Sequence, residues 1–394
     1  MDENSWLFDI LDPKILGEIG PKKVFDISAD AIRNKLKNEN VEELLKCALC
    51  PNMCEFSCPV LRSGGRETIS PARKSKLGYL YSRQNLEADE LGDNPYYCVS
   101  CGACEHNCPM DINVSDLLVP IRERMNYQGV TPEGVLDVKK NLKDTGTIYE
   151  EIEDEMKEGE EVGDGKTLYF QSCVARQESP ELVNATFNLI EKVDGGVKTL
   201  EEEKCCGSPA LSLGFEEEFS KLAEEVQEAL NDSGAERIVC SCPTCTKTLR
   251  ETYSDEGYEI EAEILHISEY LAEKLEGIDL ELEESMEITY HDPCTLARDL
   301  EVTDEPRKVL EEIDNLALEE PYFSEEDTRC CGRGGTLSYV DEELSEEIAR
   351  ERIDHLEEWS GTIVTSCPSC KVSFEEAGKD EVYNLSEIVL RAFE

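Results

Sequence analysis

KCCGSP at Lys204–Pro209 and RCCGRGG at Arg329–Gly335 each set two adjacent cysteines before a glycine. Each pair holds the same place in a longer pattern. A strand-like stretch runs into a single cysteine, Cys173 after KTLYFQS and Cys294 after EITYHDP. A helical pattern follows, then the double cysteine, Cys205–Cys206 or Cys330–Cys331. A second helical pattern comes next, EEEFSKLAEEVQEAL or EELSEEIARERIDHL. A second strand then ends in CxxC, with Cys242 and Cys245 in one copy and Cys367 and Cys370 in the other. The step from Cys206 to Cys242 equals that from Cys331 to Cys367. The chain therefore contains an internal repeat. Alternating strands and helices predict two small α/β units, residues 167–280 and 281–394. Their cysteines fall where strands end and helices begin, the usual place for ligands in open α/β sheets. CPTC and CPSC should each open a helix whose N–H groups and positive dipole end favour anionic sulfur.

Each repeat supplies five such cysteines. A cubane cluster takes four protein thiolates, and so does a zinc site. Five leaves one free for redox exchange, or it means that the cluster is not an ordinary cubane. Gly207 and Gly332 let the backbone turn tightly beside the metal. A vicinal disulfide is the structural alternative, but it leaves the CxxC partners unexplained.

Upstream, CVSCGACEHNCP places Cys98, Cys101, Cys104 and Cys108 before Pro109. This is the C-x2-C-x2-C-x3-C-P run of bacterial ferredoxins, in which three thiolates bind one cubane and the fourth reaches another. CALCPNMCEFSCP adds Cys47, Cys50, Cys54 and Cys58 before Pro59, with one extra residue between Cys50 and Cys54 that a loop around Pro51 can absorb. The expected ligands are Cys47, Cys50, Cys54 and Cys108 for one cubane, and Cys98, Cys101, Cys104 and Cys58 for the other. Structural zinc is the alternative use of such thiolates. PARKSKLGYLYSRQNLEA between the groups has a helical pattern, so residues 1–148 are expected to be a mainly helical two-cluster ferredoxin domain. DAIRNKLKNENVEELLK at 30–46 is expected to be amphipathic helix, and 149–166 an acidic linker.

The chain has 394 residues, 89 acidic and 39 basic, for a net charge of −50. That balance argues against nucleic acid and anionic membrane surfaces as partners. With 39% hydrophobic residues and periodic apolar patterning, the acidity is a solvated shell rather than disorder. It fits either a salt-adapted (halophilic) protein or an ordinary acidic enzyme. The opening MDENSWLFDI lacks a signal-peptide pattern, and no apolar stretch approaches a membrane span. The expected location is cytoplasmic, or peripheral on the inner membrane face through a partner. Nineteen clustered cysteines in such a chain point to metal or redox chemistry rather than disulfides. GDGKT at 163–167 lacks phosphate-loop spacing, so no nucleotide is expected.

Two copies of C…CCG…CxxC behind a two-cluster ferredoxin segment resemble the CCG-domain iron–sulfur proteins. Within these the chain is similar to the D-type catalytic polypeptide of heterodisulfide reductase. YHDPCTLAR at 290–298 and CCGRGG at 330–335 match family phrases, although Thr295 stands where the family often has histidine. The resemblance implies an α+β multidomain fold, the helical ferredoxin domain followed by two CCG domains. It implies two cubane [4Fe–4S] clusters and two noncubane [4Fe–4S] clusters, the latter held by all five cysteines of each repeat. The ten cysteines Cys173, Cys205, Cys206, Cys242, Cys245, Cys294, Cys330, Cys331, Cys367 and Cys370 would then be catalytic. In the family a coenzyme M–coenzyme B disulfide is cleaved between two such clusters, each sulfur being captured on iron. Implied partners are a small disulfide or thiol substrate and an electron donor, a membrane cytochrome b or a soluble flavoprotein. Methanogenesis in an archaeon is the implied setting. The competing reading is an electron-transfer subunit of a flavin-dependent glycerol-3-phosphate, lactate or glycolate dehydrogenase that passes electrons to quinone.

Other residues have weaker claims. Cys240 matches Thr365 in the second repeat and is expected to be a buried strand residue. His291 either protonates a departing thiolate or caps backbone. His266 is expected to be structural, and His106 a solvent-facing loop residue. Arg298 and Arg333 either hold a substrate anion or pair with surface carboxylates.

Overall fold

The computed structural model describes residues 38–50, 52–152 and 165–393. Residues 30–37 of the amphipathic stretch 30–46 and most of the linker 149–166 lie outside the described residues, as does Pro51. Helix Asn38–Ala48 covers the end of the first stretch.

The N-terminal part is helical, as expected. Helix Pro71–Ser82 starts where Ser70 accepts a hydrogen bond from the Arg73 N–H and Pro71 takes the first turn. It ends at Arg83, before Gln84 with φ 57°, so the predicted helical run stops short of its full length. Helices Val114–Tyr127 and Glu133–Asp144 complete this part.

Each repeat is a parallel sheet. The first has strands β1 (Thr167–Phe170), β2 (Arg237–Cys240) and β3 (Glu263–His266) in the order β1-β2-β3. The second has β4 (Leu280–His291), β5 (Ile313–Glu319), β6 (Ile363–Thr365) and β7 (Val382–Asn384) in the order β5-β4-β6-β7. All pairings are parallel. The sequence pattern announced two strands per repeat. β3 and β7 are short and β5 is a half-exposed edge, so none of them carries a clear alternation signal.

The two sheets share one apolar core. Helix Pro180–Asp194 of the first repeat packs on helix Leu385–Ala392 of the second, and helix Ile267–Lys274 packs on helix Asp304–Glu311. Tyr169, Leu189, Val239, Ile267, Tyr290, Val364, Leu385 and Ile388 are all buried in this common cluster. Each exchange has its counterpart, so the repeats are related by a pseudo-two-fold axis. Where β3 and β7 end, His266 and Asn384 form matching capping boxes with Glu269 and Glu387.

The helical part docks on both repeats. Arg122 donates to the Pro95 and Ser212 carbonyls, and Asn126 to Leu213 O. On the other side Ser63 donates to Glu351 at 2.9 Å, and Arg62 pairs with the same carboxylate. Among the described residues no helix is long and apolar enough to cross a membrane.

Candidate metal centres

The strands deliver their cysteines as the repeat pattern requires. β1 leads to Cys173 and β4 to Cys294, while β2 and β6 lead to the CxxC pairs. Cys242 and Cys367 take the N-cap positions of helices Pro243–Lys247 and Pro368–Glu376. The Cys242 thiol is held well below its ordinary range, chiefly by hydrogen bonds from Cys245 and Cys367 and also by backbone N–H groups of Cys245 and Thr244. The glycines after the double cysteines have φ values of 86° and 98°. A Cβ on Gly332 would lie 2.4 Å from Ser345 O, so the turn admits neither a left-handed side chain nor its bulk.

The ten thiols form an unbroken run of contacts. Within the first repeat it passes Cys173, Cys205, Cys206, Cys245 and Cys242. It crosses to the second repeat at Cys242–Cys367, then passes Cys370, Cys331, Cys330 and Cys294. The order in one repeat mirrors that in the other, so the two CxxC pairs meet at the pseudo-two-fold axis. One contact breaks the symmetry: Cys330 also touches Cys101 of the helical part. Among the described residues no three His, Cys, Asp or Glu side chains are arranged to hold a single metal ion. Tetrahedral zinc needs four donors at about 2.0–2.3 Å from one centre. Thiols strung along a path suit a multi-iron cluster better.

The upstream cysteines gather in two places. Cys47, Cys50, Cys54 and Cys108 line one small cavity. Cys58, Cys98, Cys101 and Cys104 line another, and Cys104 borders both. Cys108 thus lies with the first group of cysteines and Cys58 with the second. Asn52 takes a left-handed conformation with φ 63°, and the turn Met53–Phe56 after it carries Cys54. Burial and the neighbouring thiols push Cys54 up to about 12. Positively charged iron is the kind of neighbour that reverses such a shift and fixes the thiolate. The donor sets fit iron–sulfur clusters in number, chemistry and placement.

A cavity of about 270 Å³ opens where the helical part meets both repeats. Cys294, Cys330, Cys331, Cys367 and Cys370 all line it, together with Ser115, Asp116, Ser208, Thr244, Lys247 and Asp299. Lys247 sits 3.3 Å from Asp299 and is the one basic residue among the described lining. Cys294 is partly exposed, unlike the other nine thiols of the two repeats.

His291 is buried, and its Nδ1 accepts from Arg352 Nε at 3.2 Å. That bond leaves the proton on Nε2, which is buried without a hydrogen-bond partner of regular geometry and has the Cys331 thiol as its neighbour. Burial lowers the His291 pKa, so the ring is neutral. Phe170 occupies the matching position in the first repeat, three residues before its cysteine. His266 donates from Nε2 to Ser366 O (3.0 Å), and its Nδ1 accepts from the Ser268 N–H (3.3 Å) and lies 2.7 Å from Ser268 Oγ, a structural role. His106 meets Asp327 at 3.1 Å. Cys240 is fully buried at the end of β2. Arg333 pairs with Glu376 and Glu178. Arg298 follows neither expected course. It donates to the carbonyls of Cys101 (2.7 Å), Glu326 and Thr328 (2.8 Å each), because it is folded inward at the junction with the helical part. Sequence reasoning missed Arg352 and the lining residues Asp116 and Lys247. Lys247 follows CPTC by two residues and was within reach of the motif, whereas Arg352 and Asp116 come from distant helices.

Residues 167–250 and 288–375 match the cysteine-rich CCG domain, and residues 43–112 match the 4Fe-4S dicluster domain. The chain belongs to the iron–sulfur proteins that join a 4Fe-4S dicluster segment to two CCG domains. Among curated proteins it is 27% identical to a subunit of the fumarate reductase (CoM/CoB) of Methanothermobacter marburgensis, over 90% of this chain and 73% of that protein. It is 29% identical to a subunit of the dihydromethanophenazine:CoB–CoM heterodisulfide reductase of Methanosarcina mazei, over 86% of this chain and 90% of that one. It is 28% identical to the EtfAB:quinone oxidoreductase of Syntrophomonas wolfei, over 79% of this chain and 48% of that one. A crystal structure of a hypothetical protein from Helicobacter pylori shares the fold, with TM-score 0.51, 14% identity, and coverage of 91% of this chain and 76% of that one. The chain is thus an iron–sulfur oxidoreductase-like subunit.

Proposed function

We propose that the chain is the catalytic subunit of a heterodisulfide reductase, reducing a coenzyme M–coenzyme B type disulfide to two thiols. The supporting observation is the completeness of both five-cysteine sets and their meeting at Cys242–Cys367 beside the cavity. In this reading Cys47, Cys50, Cys54 and Cys108 hold one cubane, and Cys58, Cys98, Cys101 and Cys104 the other. Each five-cysteine set holds a noncubane cluster. Clusters of these kinds supply single electrons and iron sites with affinity for sulfur. The reaction consumes two electrons and two protons, splits one S–S bond and forms two S–H bonds.

The chain's own residues bind and orient. Lys247 offers the cavity's positive charge to an anionic thiol. Ser115, Ser208 and Thr244 offer hydroxyls at its wall. His291, kept neutral and in one tautomer by Arg352, presents its Nε2 proton toward Cys331. Electrons come from a partner protein, a membrane cytochrome b or a soluble flavoprotein. The EtfAB:quinone oxidoreductase relative favours a second reading, an electron-transfer subunit serving a flavoprotein.

The test is stepwise oxidation of the anaerobically purified, cluster-loaded chain, followed by electron paramagnetic resonance with and without coenzyme M and coenzyme B. The reductase reading expects a signal that appears only with one of the thiols. Identical titrations with and without thiol would favour the electron-transfer reading.

A further inference from the structure

Arg298 lies between the helical part and the second repeat. Its Nε donates to Cys101 O at 2.7 Å, and its Nη1 donates to Glu326 O and Thr328 O. Its Nη2 is buried and has no hydrogen-bond partner. No carboxylate lies within ion-pair distance of it among the described residues, although the chain carries 89 acidic side chains. The nearest acid in sequence, Asp299, is engaged by Lys247 at 3.3 Å. The anion-forming groups that act on the guanidinium are, in order, the thiols of Cys101, Cys294 and Cys330 and then the Asp299 carboxylate. Cys101 belongs to the upstream set with Cys58, Cys98 and Cys104, while Cys294 and Cys330 belong to the second five-cysteine set. The Cys101 and Cys330 thiols touch. A guanidinium with a buried, unpartnered N–H group and no carboxylate paired to it is costly unless something anionic compensates it.

We propose that Arg298 is a positioning residue whose fixed positive charge is the shared counter-charge of two iron–sulfur clusters, one on each side of the Cys101–Cys330 contact, and that it raises the reduction potentials of both. The proposal rests on the reading that these cysteine sets hold clusters. A cluster gains one negative charge on reduction, so a nearby fixed cation favours the reduced form. The first repeat has a neutral residue, Gln177, at the matching place four residues after Cys173. The adjoining Arg176 donates to Glu203 O. The charge therefore acts on one side of the pseudo-two-fold axis and separates the potentials of two otherwise mirrored sites. Electrons arriving through the Cys101 side are then held preferentially at the second set.

The experiment is a redox titration of the full chain loaded with clusters, followed by electron paramagnetic resonance, for the wild type, Arg298→Gln and Arg298→Lys. Arg298→Gln installs the first repeat's residue. Two of the cluster couples should fall, each by at least a tenfold change in the oxidised-to-reduced ratio at fixed potential, about 59 mV for a one-electron couple. The cubane of Cys47, Cys50, Cys54 and Cys108, on the far side of Cys104, should keep its potential and serves as the internal reference. Arg298→Lys keeps the charge without the three-carbonyl clamp and should restore most of the shift. Unchanged potentials in a fully iron-loaded Arg298→Gln protein overturn the proposal. So does an equal fall in Arg298→Lys, which would assign the effect to the clamp. If Arg298→Gln does not load, the Arg298→Lys protein decides alone: wild-type potentials support the charge, lowered ones overturn it. A wild-type chain that binds no iron sinks the cluster reading itself, an outcome distinct from all of these.

Discussion

Gly335→Ala tests the docking of the helical part on the second repeat. Gly335 has φ 60°, and a Cβ there would lie 2.1 Å from Cys98 O and 3.0 Å from the Val99 Cα. A left-handed conformation costs a non-glycine residue about 1–2 kcal/mol. The clash is a separate cost. A Cβ does not approach a backbone oxygen within 3.0 Å, so the Cys98 backbone must retreat by about 1 Å, at an overpacking cost of about 1–3 kcal/mol. Together these give about 2–5 kcal/mol. Gly65 isolates the first cost. Its φ is 57°, and a Cβ there meets nothing within 4 Å, so Gly65→Ala should lose only about 1–2 kcal/mol. The assay compares thermal unfolding of the two variants with the wild type, followed by circular dichroism on the metal-free chain, with iron content measured after reconstitution. Gly335→Ala should show the larger loss of stability and should also lose iron, because the displaced backbone carries Cys98. Equal shifts in the two variants, with equal iron, would refute the argument that close approach governs this position.

Two further outcomes follow from the repeat symmetry. Burial lowers the His266 pKa from 6.5 to about 4, so the folded chain keeps this ring neutral while the unfolded chain takes up a proton. Its contribution is complete above pH 6.5 and is lost as pH falls from 6.5 toward 4, by about 3 kcal/mol in all. His266→Asn, which copies the Asn384 cap of the second repeat, should flatten that limb of the stability–pH curve in the metal-free chain, and an unchanged slope would count against this assignment. Cys240→Thr copies Thr365 and should leave the iron content and resonance spectra as they are; loss of a cluster would make Cys240 a ligand.

Much of the site was legible because cysteine spacing is local information. The cross-paired upstream sets followed from the C-x2-C-x2-C-x3-C-P run, and the palindromic thiol path followed in part from the matched steps between the double cysteines and CxxC. The helix starts at Pro243 and Pro368 were equally local, since proline in the first turn after a strand leaves few alternatives. The strands β3 and β7 were not legible, because a three- or four-residue strand carries too little periodicity to separate from a loop, and β5 was not, because its half-exposed edge shows no regular alternation. Arg298 was misjudged for a different reason. An arginine in an acidic chain has many possible carboxylate partners, and only the packing of the helical part leaves it facing carbonyls and thiols instead.

By itself, then, the sequence determined which residues are the metal-ligand candidates, that they come as two upstream groups and two five-cysteine sets, and that the second half is a duplicated α/β unit. The tertiary structure decided how the sets meet. Cys242 touches Cys367, Cys330 touches Cys101, and His291 is fixed by Arg352, each across dozens to hundreds of residues. Such contacts depend on which apolar helix faces bury each other around the pseudo-two-fold core, and no spacing rule along the chain encodes that choice.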